Sequence, residues 1–261
     1  MAIQKKVYVT RKILEPALSM LLKECNVVLN NNDRPPTRKE ILKNVRGKDG
    51  ILCMLSDKID EEVMAAAGPK LKVISSYSTG VDHIDVDEAT KRGIYVTFTS
   101  NILAEATADL TFALILALAR KIIEANEFTK SKLWKVGWMP NLLLGTEVYG
   151  MTLGIIGLGR IGTAVARRAK GFNMKIIYNN RSTRNHQIES ELKAEYVDIN
   201  NILEQSDFLS IHTTLNKDSF HLLDESKFKK MKKTAYIINT SRGQIINEPD
   251  LIILDYHLHS V

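Results

Sequence analysis

The stretch "MTLGIIGLGRIG", starting at Met151 and running into "TAVARRAKGF", constrains the fold of this 261-residue chain more than any other. "TLGII" is short and apolar, as a strand buried on both faces must be. "RIGTAVARRAKGF" carries its apolar residues at helical spacing and reads as an amphipathic helix. Between them Gly157, Gly159 and Gly162 make a G-x-G-x-x-G turn. Alone that pattern is weak; closing a strand and opening a helix, it is specific. Gly157 allows a tight turn, Gly159 removes a side chain where a pyrophosphate would approach, and Gly162 lets the helix close on the strand. The unbonded N–H groups and positive end of the helix then attract phosphate. The alternative is a glycine-rich turn with no ligand.

The rest of the chain reads as strands alternating with helices, which argues for parallel sheets covered on both faces. Lys6 to Thr10, Asn26 to Asn30, Gly50 to Leu55, Lys72 to Tyr77 and Ile94 to Phe98 read as strands, with helical spacing in "PALSMLLKE", "RKEILKNV" and "DEEVMAAA". Ala104 to Asn126 reads as one long helix, apolar almost all round and so buried between layers, domains or subunits. The segment Ser131 to Gly150 is irregular and holds both tryptophans. A second alternating unit then runs through Lys175 to Asn180, Asp207 to His212 and Ala235 to Thr240. Two α/β units are expected, with the long helix near the joint.

Composition excludes several classes. At 44% hydrophobic residues the chain can build a core, so it is not a disordered protein. Its net charge of +6 mildly favours anionic ligands. The one cationic knot, Lys229 to Lys233, reads as a solvated helix end rather than a nucleic-acid stripe. Cys25 and Cys53 make neither a disulfide framework nor a CxxC site, which fits a reducing cytoplasm. No signal-peptide core opens the chain, and "LTFALILALA" is too short to span a bilayer, which needs about 20 residues.

About twenty residues beyond the glycine turn, an NAD-binding chain places an acid that holds the ribose 2′-hydroxyl. Here the residues are Asn179, Asn180, Arg181, Ser182, Thr183 and Arg184. With no acid to repel it, a 2′-phosphate could pair with Arg181, Arg184 being a second candidate, and accept hydrogen bonds from Ser182 and Thr183. NADP(H) is therefore expected in preference to NAD(H). Merely solvated arginines are the alternative.

Taken together, "GIIGLGRIG", "AKGFNMKIIYNNRS", "INTSRG" and "STGVDHIDVDEATKRGIYVT" resemble the D-isomer-specific 2-hydroxyacid dehydrogenases, most of all glyoxylate/hydroxypyruvate reductases of archaeal type. The likeness runs from about Lys6 to about Asp250. It implies two doubly wound parallel-sheet domains: a flavodoxin-like substrate domain over residues 1–100 and a Rossmann nucleotide-binding domain over 101–261. It implies a homodimer, and reversible hydride transfer between a nicotinamide and a small 2-oxo or 2-hydroxy acid. That chemistry needs a cation on the carboxylate and carbonyl, a proton donor, and a group holding the donor's protonation state.

The resemblance assigns the cation to Arg242, a residue that follows a buried strand and could bind a carboxylate bidentately; a solvated loop arginine is the alternative. It assigns Ser78, Thr79 and Gly80 to a loop whose amides hold the substrate carboxylate, and Leu55 to the substrate's flank. Thr107, Thr240 and Ser241 fall near the nicotinamide. Leu158, Gly159, Arg160 and Ile161 fall on the pyrophosphate, and the spacing argument above puts Asn180, Arg181 and Ser182 at the ribose. Trp138 resembles an aromatic that reaches a neighbouring active site, though it serves equally well as a loop anchor.

The family's glutamate and histidine lie in segments like "LDVFEEEP" and "PHIGSA". No counterpart is found in these 261 residues, whose tail "LIILDYHLHSV" departs from the family pattern. Neither a Glu–His pair nor a metal site is assigned. His257 and His259, spaced as on one face of a strand, read as tail residues; His186, His212 and His221 read as loop, strand-end and surface residues; His83 alone falls near the substrate loop. The expectation is a C-terminally truncated chain of impaired activity, its domains lacking the nucleotide sheet's last strands and the return segment. The alternatives are a non-catalytic, corepressor-like dinucleotide-binding protein and an inactive gene fragment.

Overall fold

The computed structural model describes residues 4–258 except 101, 136, 182 and 183, with only the backbone for 254–258. Ser182, Thr183 and His259 thus lie outside the described residues. The chain divides into two compact units, Met1–Ile102 and Leu103–Val261.

The N-terminal unit runs β1 (Lys5–Val9), α1 (Ala17–Glu24), β2 (Cys25–Leu29), α2 (Arg38–Asn44), β3 (Gly50–Cys53), α3 (Glu61–Ala67), β4 (Val73–Ser76), α4 (Val86–Lys91) and β5 (Tyr95–Phe98). The five strands form one parallel sheet in the order β2-β1-β3-β4-β5. Helix starts follow local chemistry. Thr37 and Glu40 make a capping box for α2, and Asp60 accepts from the Val63 N–H at the start of α3. Helix α4, which the sequence did not single out, begins at Asp85, whose side chain accepts from the Glu88 N–H. The core packs Tyr8, Ile51 and Ile74 of the strands against Ile41, Val63 and Met64 of the helices. Strand order reverses between β1 and β3, so the loops after these strands meet at the carboxyl edge, where ligands of open α/β sheets bind. There Asp57, almost wholly buried, accepts from the Met54 N–H at 2.8 Å and pairs with Arg11 at 3.1 Å.

The C-terminal unit runs α5 (Ala104–Ala119), α6 (Ile122–Lys130), β6 (Thr152–Ile156), α7 (Arg160–Gly171), β7 (Lys175–Asn179), α8 (His186–Leu192), β8 (Glu195–Tyr196), α9 (Ile199–Gln205), β9 (Phe208–Ile211), α10 (Glu225–Phe228), β10 (Tyr236–Asn239) and α11 (Glu248–Leu258). Its parallel sheet has the order β10-β9-β6-β7-β8. Alternate strand residues feed opposite cores: Ile155, Ile176 and Phe208 pack on one face, Ile156, Ile177 and Leu209 on the other. Such two-sided burial is why these strands read as continuous apolar runs. The Lys229–Lys233 knot follows α10, and Lys229 and Lys232 pair with Glu225 and Asp207.

Two expectations are corrected, and one strand was not anticipated. The long helix is two, divided at Lys121, which takes a left-handed φ of 50°. The Ala119 carbonyl, which a continuing helix would bond internally, accepts from the Thr146 N–H at 2.7 Å. Gly145 permits that approach, since a Cβ there would lie 2.4 Å from the same oxygen. Strand β8, only two residues long, has too few side chains to show a period. The tail holding His257 is helical in α11, not strand-like.

Candidate active site

The glycine turn joins β6 to α7, and each glycine has a separate geometric cause. Gly157 sits at φ 99°, where a Cβ would meet the His212 carbonyl and the Thr213 nitrogen within 2.9 Å. At Gly162 a Cβ would lie 2.2 Å from the Gly157 oxygen. At Gly159 a Cβ would meet nothing within 4 Å, so no protein atom demands that glycine. The space is of the kind an approaching pyrophosphate needs. No side chain caps α7, leaving its first N–H groups for an anion. A hollow of about 510 Å³ opens here, lined by Glu105, Leu158, Gly159, Arg160, Thr163 and Arg167 among others. The amide of Leu158 is engaged, donating to Asn180 Oδ1 at 2.6 Å. The Asn180 side chain thereby ties the end of β7 to the glycine turn. Ile161 is partly buried against the core, and Arg160 is exposed.

Beyond β7, Arg181 is exposed and pairs with Asp218 at 3.2 Å. The Arg184 fork is taken by Glu189 at 3.0 and 3.1 Å and lies over the Tyr196 ring. Hydrogen bonds from Arg184, Tyr178 and His186 hold the Glu189 carboxyl down at about 2. Of the two arginines considered for a 2′-phosphate, Arg181 has the weaker protein partner.

After β10 the Asn239 side chain organises the arginine loop. Its Oδ1 accepts from the Ser241 N–H at 3.0 Å and the Ser241 hydroxyl at 2.8 Å. Its Nδ2 donates to the Arg242 carbonyl at 2.9 Å. Arg242 Nη1 donates to the Ser241 carbonyl at 2.9 Å. Arg242 also lines a hollow of about 330 Å³ with His221 and Glu248. Sequence reasoning left His221 as a surface residue and gave no sign of that proximity, which depends on the chain's return past Gln244.

His212, read only as a strand-end residue, lies between the glycine turn and the arginine loop. It follows β9 directly, and its backbone packs on Gly157. Its Nε2 meets the Ser210 hydroxyl at 2.8 Å and its Nδ1 the Thr240 hydroxyl at 3.5 Å. Thr240 in turn meets Thr111 at 3.1 Å, and Thr111 donates to the Thr107 carbonyl at 2.8 Å. Thr107, Thr111 and Thr240 are thus joined in one hydrogen-bonded chain. Burial alone pushes His212 down to about 4. The unfolded histidine binds a proton near 6.5 and the folded one does not, so stability is lost as pH falls through that interval. The loss is at most roughly 3 kcal/mol. Urea unfolding at pH 7 and pH 4.5 should show the drop, and His212→Asn should reduce it.

In the N-terminal unit the Gly80 carbonyl is held inward by the hydroxyls of Ser78 at 2.8 Å and Ser76 at 3.1 Å. Carbonyl and following N–H point oppositely across a planar peptide, so the next amide turns outward. Among the described residues no hydrogen bond is recorded from the N–H of Thr79, Gly80 or Val81. His83 Nε2 lies 3.3 Å from Ser76 Oγ and 3.7 Å from Cys53 Sγ. Burial pushes the Cys53 thiol up to about 12, which suits a structural residue and not a nucleophile. Leu55 and Trp138 are exposed, at 56% and 79%. Among the described residues no cluster of ligands could hold a metal.

Residues 112–254 match the D-isomer specific 2-hydroxyacid dehydrogenase, NAD binding domain. The chain is 50% identical over 249 residues to a glyoxylate reductase of Thermofilum pendens, covering 95% of this chain and 73% of that one. The chain belongs to the D-isomer-specific 2-hydroxyacid dehydrogenase family. Among solved structures, the TT0316 protein of Thermus thermophilus is similar at a TM-score of 0.87 and 40% identity, covering 95% of this chain and 77% of that one. An acyclic imino acid reductase (Bsp5), solved with NADPH and D-Arg, is similar at 0.85 and 27% identity, covering 97% and 80%. The chain thus spans about three-quarters of the length of these relatives. As a 2-hydroxyacid dehydrogenase by family, it is an NAD(P)-dependent oxidoreductase. The glycine turn fits a dinucleotide: Gly159 leaves room, and α7 offers an uncapped N-terminus.

Proposed function

We propose that the chain reduces glyoxylate and hydroxypyruvate to their 2-hydroxy acids, using NADPH in preference to NADH. The observation that carries this is the pairing of the open glycine turn with an arginine loop on neighbouring parts of one sheet edge. The likeness to glyoxylate reductases supports the substrate class. The bound nicotinamide supplies hydride; the chain supplies binding, orientation and charge. The N–H groups at the start of α7 hold the pyrophosphate, Arg160 and Ile161 among them, with Gly159 and Leu158 shaping the approach. Arg242 binds the acid's carboxylate and polarises its carbonyl. For the N-terminal unit, the resemblance assigns the amides of the Ser78–Gly80 loop to the substrate carboxylate, with Leu55 as an apolar flank. Thr107, Thr240 and Ser241 line the nicotinamide end.

For the ribose, Arg181 supports a 2′-phosphate, with Asn180 beside it and no acid at the end of β7. Fluorescence titration should give NADPH binding about tenfold tighter than NADH, and Arg181→Ala should remove most of that difference. NADH binding as tightly as NADPH would defeat this preference.

Proton donation is the weak step. Among the described histidines of the C-terminal unit, His212 is held neutral at pH 7 by burial, His186 is bound to Glu189 on α8, several strands from Arg242, and His221, which lines one hollow with Arg242, stacks on Phe220 and has no recorded ion pair with an acid. Turnover of glyoxylate with NADPH is therefore expected at least about 10²-fold below that of an efficient relative. Turnover near the relative's rate would overturn this. Tight binding without turnover would instead support a non-catalytic dinucleotide-binding role, and an insoluble product an inactive fragment. The leucine stripe Leu110, Leu114 and Leu118, exposed at helical spacing on α5, supports a homodimer. Two thiols with no CxxC spacing support a cytoplasmic setting. Among the described residues no helix is long and apolar enough to cross a membrane.

A further inference from the structure

His212 touches both halves of the dinucleotide crevice. Its backbone lies against Gly157 of the phosphate turn, and its ring reaches Thr240 at the head of the arginine loop. The hydroxyls around it favour one order of protons, starting from Thr111. Thr111 Oγ1 donates its one proton to the Thr107 carbonyl, at 2.8 Å. Toward Thr240 it can therefore only accept, so the Thr240 proton points at Thr111 across 3.1 Å. Having spent its proton, Thr240 Oγ1 must accept from His212, and Nδ1 carries the hydrogen across 3.5 Å. A neutral ring protonated on Nδ1 keeps a lone pair on Nε2, which accepts from the Ser210 hydroxyl at 2.8 Å. The chain runs one way, from Ser210 through His212, Thr240 and Thr111 to the Thr107 carbonyl.

We infer that His212 is a positioning residue: its Nδ1–H tautomer commits the Thr240 proton inward and sets the Thr240–Ser241–Arg242 loop against the phosphate turn. Three features favour this over ordinary packing. Ser210 is fully buried, so its hydroxyl needs a partner, and the ring provides it. Thr111 is likewise fully buried, and its two contacts use its donor and one acceptor position. Third, an Nε2–H tautomer could donate to the Ser210 oxygen, but it would leave the buried Ser210 hydrogen without a recorded acceptor and set Nδ1 and Thr240 Oγ1 as opposed acceptors. The consequence concerns ligand recognition. With its hydrogen turned toward Thr111, Thr240 offers a ligand only an acceptor. It therefore suits a donor on the nicotinamide side, such as a carboxamide N–H or a ribose hydroxyl, and disfavours an anionic oxygen.

This inference rests on the reading that the crevice takes a nicotinamide dinucleotide, yet its first test needs no ligand. Long-range ¹H–¹⁵N correlation on the ¹⁵N-labelled, ligand-free chain should show His212 as a single neutral tautomer with the proton on Nδ1. Protonation on Nε2, or rapid averaging of both forms, would overturn the relay. The second test is NADPH titration of two variants. His212→Asn presents an amide N–H near the place of Nδ1–H and should bind NADPH within about threefold of wild type. His212→Leu removes the donor and should weaken binding about tenfold. Equal affinities for both variants would overturn the positioning role. Should the leucine variant fail to fold, Thr240→Val replaces it, with the same tenfold loss expected and the His212 tautomer becoming mixed. Should the wild-type chain fail to bind NADPH, the dinucleotide reading falls, and the tautomer measurement alone decides the relay.

Discussion

Replacing Gly162 by alanine is expected to weaken NADPH binding at least about 100-fold and to lower the melting temperature by roughly 3–10 °C. The added Cβ would lie 2.2 Å from the Gly157 carbonyl oxygen, a backbone atom that no rotamer change can move. Helix α7 must then lift from β6, carrying the phosphate-binding N–H groups away from the turn. Overpacking of this kind costs about 1–3 kcal/mol. Gly159→Ala provides the contrast. Its Cβ meets no protein atom within 4 Å and its backbone is extended, so the melting temperature should hold. Its NADPH affinity should nevertheless fall about tenfold or more, because the methyl enters the pyrophosphate's space. Calorimetry and fluorescence titration on the two variants separate the effects. A Gly159→Ala chain that binds NADPH like wild type would remove the pyrophosphate from this turn.

Much of the fold was legible in the sequence because strands buried on both faces carry a coarse, strong signal. "TLGII", "KIIYNN" and "AYIINT" are apolar for the same reason that Ile155 and Ile156 feed opposite cores. The three glycines were legible as a spaced string between a strand and a helix, although no protein atom demands Gly159. What escaped depended on distant partners. The division of the long helix at Lys121 follows from Thr146 taking the Ala119 carbonyl, an event about 27 residues downstream that apolar periodicity cannot encode. Strand β8 exists because two residues pair with β7, and two residues show no pattern.

The candidate site divides along the same line. Arg242 and the Ser78–Gly80 loop were nominated because they sit in recognisable local strings. His212 was passed over because no string around it marks it; its importance comes from Ser210, Thr240 and Thr111, which only the folded sheet gathers. Arg184 shows the converse. Sequence spacing made it a second candidate for the 2′-phosphate, and in the structure Glu189, on the following helix, takes both arms of its fork. A local charge pattern shows which groups are available, and only geometry shows which are already committed.

Arg242→Gln is expected to lower affinity for oxamate, an unreduced 2-oxo acid analogue, about 10²–10³-fold in the NADPH-loaded chain, and to lower any residual kcat/KM by a similar factor. A guanidinium that pairs bidentately with a carboxylate in a partly desolvated crevice contributes through charge and geometry together. Losing one partner of such a pair costs about 2–5 kcal/mol. The loop should survive the change, because Asn239 braces it through the Ser241 N–H and the Arg242 carbonyl, neither of which the substitution removes. NADPH affinity should accordingly stay within about twofold of wild type, which isolates the loss to the acid. Arg242→Lys sharpens the test: an ammonium retains the charge but not the planar fork, so recovery should be partial. Full recovery with lysine would reduce the arginine's role to unoriented charge. Unchanged oxamate affinity in the glutamine variant would remove Arg242 from the substrate altogether and leave the chain a dinucleotide-binding protein.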